Sequence, residues 1–107
     1  MDCKPRAFVI EPCRPDVSTA DEYGELTYVF VQGSHRASIW DIAFLVDVVN
    51  ILRDANYIPS RDFIVVAGHM VSIALVVGTL VAEFGRIRVL LYSSTERRYI
   101  PRTIGRI

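Results

Sequence analysis

Hydrophobic positions along the chain fall into separate runs, and their spacing alternates between a strand's period and a helix's. Residues 7–11 (AFVIE) read as a first strand. Residues 12–25 hold Pro12 and Pro15 with an acidic cluster of Asp16, Asp21, Glu22 and Glu25, and read as a loop. Residues 26–32 (LTYVFVQ) are rich in β-formers and read as a second strand. The turn Gly33-Ser34-His35-Arg36-Ala37 follows. Ser38, with Asp41 three residues on, has the spacing of a capping box and predicts a helix over 39–55. Ile42, Leu45, Val46, Val49 and Leu52 form its apolar stripe, which Phe44, Val48 and Ile51 widen. Asp47, Asn50 and Asp54 lie on the wet side.

Asn56 is a helix stop, and Pro59 prevents continuation. Residues 63–67 (FIVVA) are apolar at every position, the signature of a strand covered on both faces. A second helix is predicted over 70–84, with Gly85 just past its end. Residues 87–92 (IRVLLY) predict a fourth strand. Ser93 to Glu96 turn the chain, and 97–101 (RRYIP) return as an antiparallel edge strand, a place that suits Pro101. The order is β-β-α-β-α-β-β. It implies one α/β domain over 1–107, a small mixed and mainly parallel sheet resembling half of a Rossmann fold. Its two helix-bearing connections are expected to be right-handed crossovers.

The uncharged run from Phe63 to Ala82 has about the length of a membrane span. Gly68-His69 interrupts it, its first residues are β-branched and aromatic, and Arg86 and Arg88 lead into another strand-like run. We therefore read it as strand plus helix in a cytoplasmic protein without membrane contact. The start, MDCKPRAFVIEPCRP, lacks the apolar core of a signal peptide. Cys3 and Cys13 match no metal-ligand spacing; they read as free thiols, or as a bridge closing the first loop.

A chain of 107 residues is 51% hydrophobic and 22% charged, which excludes disorder and predicts a packed core. Its 12 basic and 12 acidic residues cancel, so overall charge calls for no nucleic-acid partner. The charge is lopsided, however. Six basic and ten acidic residues precede Phe63; six arginines and two glutamates follow, the arginines being Arg86, Arg88, Arg97, Arg98, Arg102 and Arg106. On and beyond an edge strand, such arginines discourage edge-to-edge pairing.

The second helix is apolar on nearly every side. Ser72, Thr79 and Glu83 share a narrow line with Val76, while Ala74, Gly78 and Ala82 form a row of small residues. That row fits either close packing on the sheet or a helix–helix contact between copies. A helix this apolar needs cover all round, so we expect a homodimer or higher oligomer through residues 70–84.

Open α/β sheets bind ligands beyond the carboxyl ends of their parallel strands. Three turns occupy such ends here: Ser34-His35-Arg36 after Gly33, Gly68-His69 leading to Ser72, and Ser93 to Thr95. Gly68 permits close backbone approach, and the free N–H groups at the start of the second helix favour an anion such as phosphate. The candidate ligand set is Gly68, His69, Ser72, Ser34, His35, Arg36, Ser93 and Thr95. His69 reads either as a helix cap or as a ligand contact. It is the first choice for an acid/base if any reaction is catalysed. No catalytic triad, metal set or cofactor motif is evident.

The segment from Asp62 to Ile100 carries a resemblance. A strand ending in Ala67-Gly68, a helix with Ile73-Ala74-Leu75 and Phe84, then Val89-Leu90-Leu91-Tyr92 and a hairpin closing with Tyr99-Ile100, resembles small CARF-like domains. Within them it is most similar to short CRISPR-associated ring nucleases, and the general look also resembles small phage proteins. The resemblance implies a dimer that binds cyclic oligonucleotides at strand carboxyl ends, across a two-fold axis. The basic and proline residues that the family carries after the glycine are replaced here by His69-Met70-Val71, which argues against nuclease activity. Gly68 and the neighbouring His69 are the positions carried over as ligand-facing. The expected function is a homo-oligomer that binds a nucleotide or another phosphate-bearing small molecule. The alternative is a structural or adaptor protein whose apolar helices are assembly surfaces; nucleic-acid binding through the basic half ranks third.

Overall fold

In a computed structural model, which describes residues 4–10, 18–29, 42–66 and 70–105, the apolar run at Phe63–Val66 is a central strand. Phe63, Ile64 and Val65 are buried on both faces of the sheet. The elements in chain order are β1 (Arg6–Val9), a 3-10 turn (Ser18–Glu22), β2 (Glu25–Tyr28), α1 (Ile42–Asp54), β3 (Phe63–Val66), α2 (Met70–Phe84), β4 (Arg86–Ser93) and β5 (Arg98–Gly105). The fold is α/β, a five-stranded mixed sheet with two helices.

The strands lie in the order β2-β1-β3-β4-β5. The first four are mutually parallel, and β5 runs antiparallel to β4 from Arg86↔Gly105 to Ser93↔Arg98. β1 thus separates β2 from β3, so the connection through α1 steps over a strand. The chain pattern could not reveal this, because strand order is fixed by contacts between distant segments. The β1–β2 connection contains the 3-10 turn, in a stretch expected to be only loop.

The sheet has two unlike faces. Phe8, Ile64, Ile87 and Val89 point to the face covered by α1 and α2, where Phe44, Val48, Leu52, Val76 and Leu80 complete the main core. Ala7, Val9, Phe63, Val65, Leu90 and Tyr99 point the other way, against Ala20 of the 3-10 turn and the partly buried Tyr23, Leu26 and Tyr92. Tyr23 Oη donates to the Tyr99 carbonyl at 3.0 Å, which ties the 3-10 turn to the far edge of the sheet.

Both helices stop where their sequence says, by different means. Asn56 takes a left-handed conformation (φ 60°). Its N–H bonds the Arg53 carbonyl at 3.0 Å, and Tyr57 N–H reaches back to the Leu52 carbonyl at 2.9 Å. This is a Schellman cap, with Tyr57 as the buried residue just past the end. α2 ends in the simpler left-handed motif: Gly85 (φ 85°) donates to the Val81 carbonyl at 2.7 Å. At Gly24 the chain enters β2 so close to β1 that a Cβ would stand 2.8 Å from the Pro5 carbonyl oxygen, so only glycine fits.

Some orientations differ from the periodic reading. Val46 is 50% exposed, and the buried positions of α1 are Phe44, Val48, Val49 and Leu52. The core stripe is therefore turned slightly from the expected one, because an all-apolar flank offers more than one phase. In α2, Val76 is buried together with Leu80, and the exposed row is Ala74, Gly78 and Ala82. The small residues thus do not serve close packing on the sheet. β5 runs past Pro101 to Gly105, because an edge strand tolerates a residue without an N–H. Ser38, Asp41, Cys3 and Cys13 lie outside the described residues.

Candidate functional site

Parallel pairing sets the carboxyl ends of β1, β2, β3 and β4 at the same end of the sheet. Ile10 and Val29, just past β1 and β2, are both 7% exposed and join the main core, and Val66 packs against it. Val29 N–H bonds the Val9 carbonyl at 2.8 Å and extends the β1–β2 pairing by one residue. α2 begins at Met70, four residues after Val66. The reversal of strand order falls between β1 and β3, the place where open α/β sheets form a crevice.

Most of the candidate ligand set lies outside the described residues: Ser34, His35, Arg36, Gly68 and His69. Ser72 belongs to the first turn of α2. Ser93 and Thr95 are described, at the carboxyl end of β4. Ser93 Oγ accepts the Glu96 N–H at 3.2 Å, so its hydroxyl closes the β4–β5 turn. Thr95 is exposed beside it. Ser93 thus has a structural task that its position alone did not suggest.

At the opposite end of the sheet stands a heavily bonded carboxylate. Asp62 directly precedes β3 and is fully buried. Its Oδ2 accepts Ile58 N–H at 2.8 Å, and its Oδ1 accepts Arg6 N–H at 3.1 Å. Arg61 grips both oxygens, Nε to Oδ1 at 2.8 Å and Nη2 to Oδ2 at 3.0 Å. Arg6 adds its own guanidinium at 3.4 Å. Burial by itself would raise the pKa of this carboxyl. The hydrogen bonds from Arg61, Ile58 and Arg6, with the charge of Arg6, outweigh burial and hold it below the usual carboxylate range. The carboxylate joins the start of β1 to the turn before β3. The available signal was an aspartate directly before an all-apolar strand, with an arginine on its other side.

Other arginines here are held as well. Arg88 lies over the Phe63 ring at 4.1 Å and donates to the Ser60 carbonyl at 3.2 Å. Tyr57 packs edge-on against Phe8 (5.7 Å) and Phe84 (5.0 Å), and its buried hydroxyl has no hydrogen-bond partner. Burial raises its pKa, with a further push from the negative charge of Asp62. No group of three or more metal-ligating side chains occurs among the described residues. No described helix is long and apolar enough to cross a membrane.

With this geometry in view, the chain was compared with known proteins. Residues 9–105 match the family described as Phage Pam3 gp32-like protein. The chain belongs to that family. The match runs from the end of β1 through β5, so it takes in the whole carboxyl-end rim and both helices. No curated protein and no solved structure matches the chain. This membership of a phage family agrees with the resemblance to small phage proteins, and it carries no CARF-like assignment.

Proposed function

We propose that this phage-family protein binds a nucleotide or another phosphate-bearing small molecule at the rim where the carboxyl ends of β1, β3 and β4 meet the start of α2. The strand order carries the proposal. Its reversal between β1 and β3 leaves a gap between neighbouring crossovers, and the start of α2 follows β3 closely. Backbone N–H groups around Gly68 and the dipole of α2 would hold the anion. His69 and Ser72 would add polar contacts, with Ser34, His35 and Arg36 closing from the β2 side. Cyclic oligonucleotides are the finer candidates, from the likeness to CARF-like domains. His69 is the acid/base of any reaction that follows.

The test is a thermal-shift panel of cyclic oligonucleotides, linear nucleotides and inorganic phosphate at up to millimolar concentration. A stabilising ligand is expected, and its effect should vanish in both His69→Ala and Gly68→Val. A flat panel, or a shift that both variants retain, would sink the proposal. A second reading, that the protein is a structural or adaptor component, is favoured by the uncharged exposed row of α2. Under it the panel stays flat while assembly depends on the helical face.

A further inference from the structure

The outer surface of the helical layer raises a question separate from the rim. α1 and α2 lie side by side and run the same way, since Arg53 near the end of α1 pairs with Glu83 near the end of α2. Between them runs an open groove of about 310 Å³, whose apolar lining comes from Leu45, Val46 and Val49. Asn50 and Thr79 add polar edges, and the Arg53–Glu83 pair closes the lower end. Beside the groove, the exposed row of α2 is Ala74, Gly78 and Ala82, and a Cβ built on Gly78 meets nothing within 4 Å. From Met70 to Ala82 the helix has no charged residue.

The sheet edge at β5 is a poor place for another copy. Pro101 offers no N–H, and its carbonyl is already taken by the Arg102 guanidinium at 2.7 Å. β2, at the other edge, is four residues long.

We propose that a second copy of this chain covers the groove and the α2 face, packed antiparallel about a two-fold axis that passes near Gly78. Charge selects both the occupant and the direction. In a parallel pairing, Glu83 would stand beside the partner's Glu83. In the antiparallel pairing, each Glu83 lies near the positive amino end of the other α2. Arg53 then lies over the amino half of the partner's α1, the half that carries the exposed Asp47. The face is also self-complementary. Ala74, Gly78 and Ala82 read the same from either end, so the two-fold sets Ala74 on the partner's Ala82 and leaves the groove open to the partner's Val46. Two adjacent helices of this length present a face on the order of 400 Å² in outline. Over both partners that is about 800 Å², below the roughly 1,200 Å² of stable specific interfaces and in the range of weak, reversible ones, so the dimer should form and dissociate with concentration.

Sedimentation equilibrium of the full chain from 1 to 200 μM should show a monomer–dimer transition. Gly78→Leu should weaken it at least tenfold with an unchanged circular dichroism spectrum, because the site has room for the side chain in the monomer. Asp47→Arg, at an exposed position, should weaken it as well. Under mild oxidation, Gly78→Cys should give a covalent dimer that wild type, with Cys3 and Cys13 alone, does not give. A monomer at every concentration overturns the proposal, whatever else the face binds. So does a dimer that Gly78→Leu and Asp47→Arg leave intact. Ligand binding at the rim stands or falls separately, in the thermal-shift panel.

Discussion

At the amino ends of the parallel strands, one buried carboxylate gathers the chain: Asp62 takes N–H groups from Arg6 and Ile58 and the guanidinium of Arg61. At the carboxyl ends, Ile10, Val29 and Val66 close the core with apolar side chains. The one ion pair described there is the exposed Arg98–Glu96 contact at 3.5 Å, in the β4–β5 turn. Among the described residues the two ends are held by different forces. Directional bonds to a buried charge fix the positions of β1 and β3 against each other and penalise any change of partner. Apolar packing has no direction and imposes no such choice of partner. The proposed binding rim lies at the carboxyl end, opposite the Asp62 anchor.

The largest effect should come from removing the anchor. Asp62→Asn keeps the shape but removes the buried charge that Arg6 and Arg61 grip, and should cost about 3 kcal/mol in urea unfolding. Loss of less than about 1 kcal/mol would show that the amino end is held by packing, like the other. The same residue sets the acid response. Its folded pKa lies below its unfolded one, so its contribution is complete above about pH 4 and is lost as pH falls through the folded value. Urea midpoints should therefore drop below about pH 4 in wild type, and less steeply in Asp62→Asn.

Tyr57 gives a smaller effect of opposite sign. Its hydroxyl is buried without a partner, so Tyr57→Phe should stabilise the protein by up to about 1 kcal/mol. Its raised pKa means that the unfolded chain ionises first as pH rises past about 10, which removes stability at alkaline pH. Tyr57→Phe should lessen that loss; an unchanged alkaline transition would assign it to other tyrosines. The smallest effect belongs to the carboxyl end. Ser93→Ala removes one turn hydrogen bond and should cost about 0.5–1 kcal/mol, with Thr95→Ala nearly silent. A cost at Ser93 comparable with that at Asp62 would erase the contrast between the two ends.

Much of the fold was legible in the chain. α2 occupies 70–84 as its apolar run and Gly85 predict, Asn56 ends α1, and Pro101 lies on an edge strand. These features rest on local chemistry: hydrogen bonding within a helix, the left-handed tolerance of Asn and Gly, and the missing N–H of proline. The candidate rim was legible only as turns that follow strands. Ser93, a member of the candidate ligand set, closes its own turn through its hydroxyl.

What the sequence determined by itself, then, is the kind, order and approximate limits of the elements, because each is set by neighbours a few residues away. The tertiary structure decided the insertion of β1 between β2 and β3, the exposure of Val46, the outward turn of the Ala74-Gly78-Ala82 row and the role of Asp62. These depend on partners far along the chain: Arg6 stands 56 residues from Asp62. A helix apolar on every side has no preferred phase of its own, so only packing against the sheet could choose which face to bury.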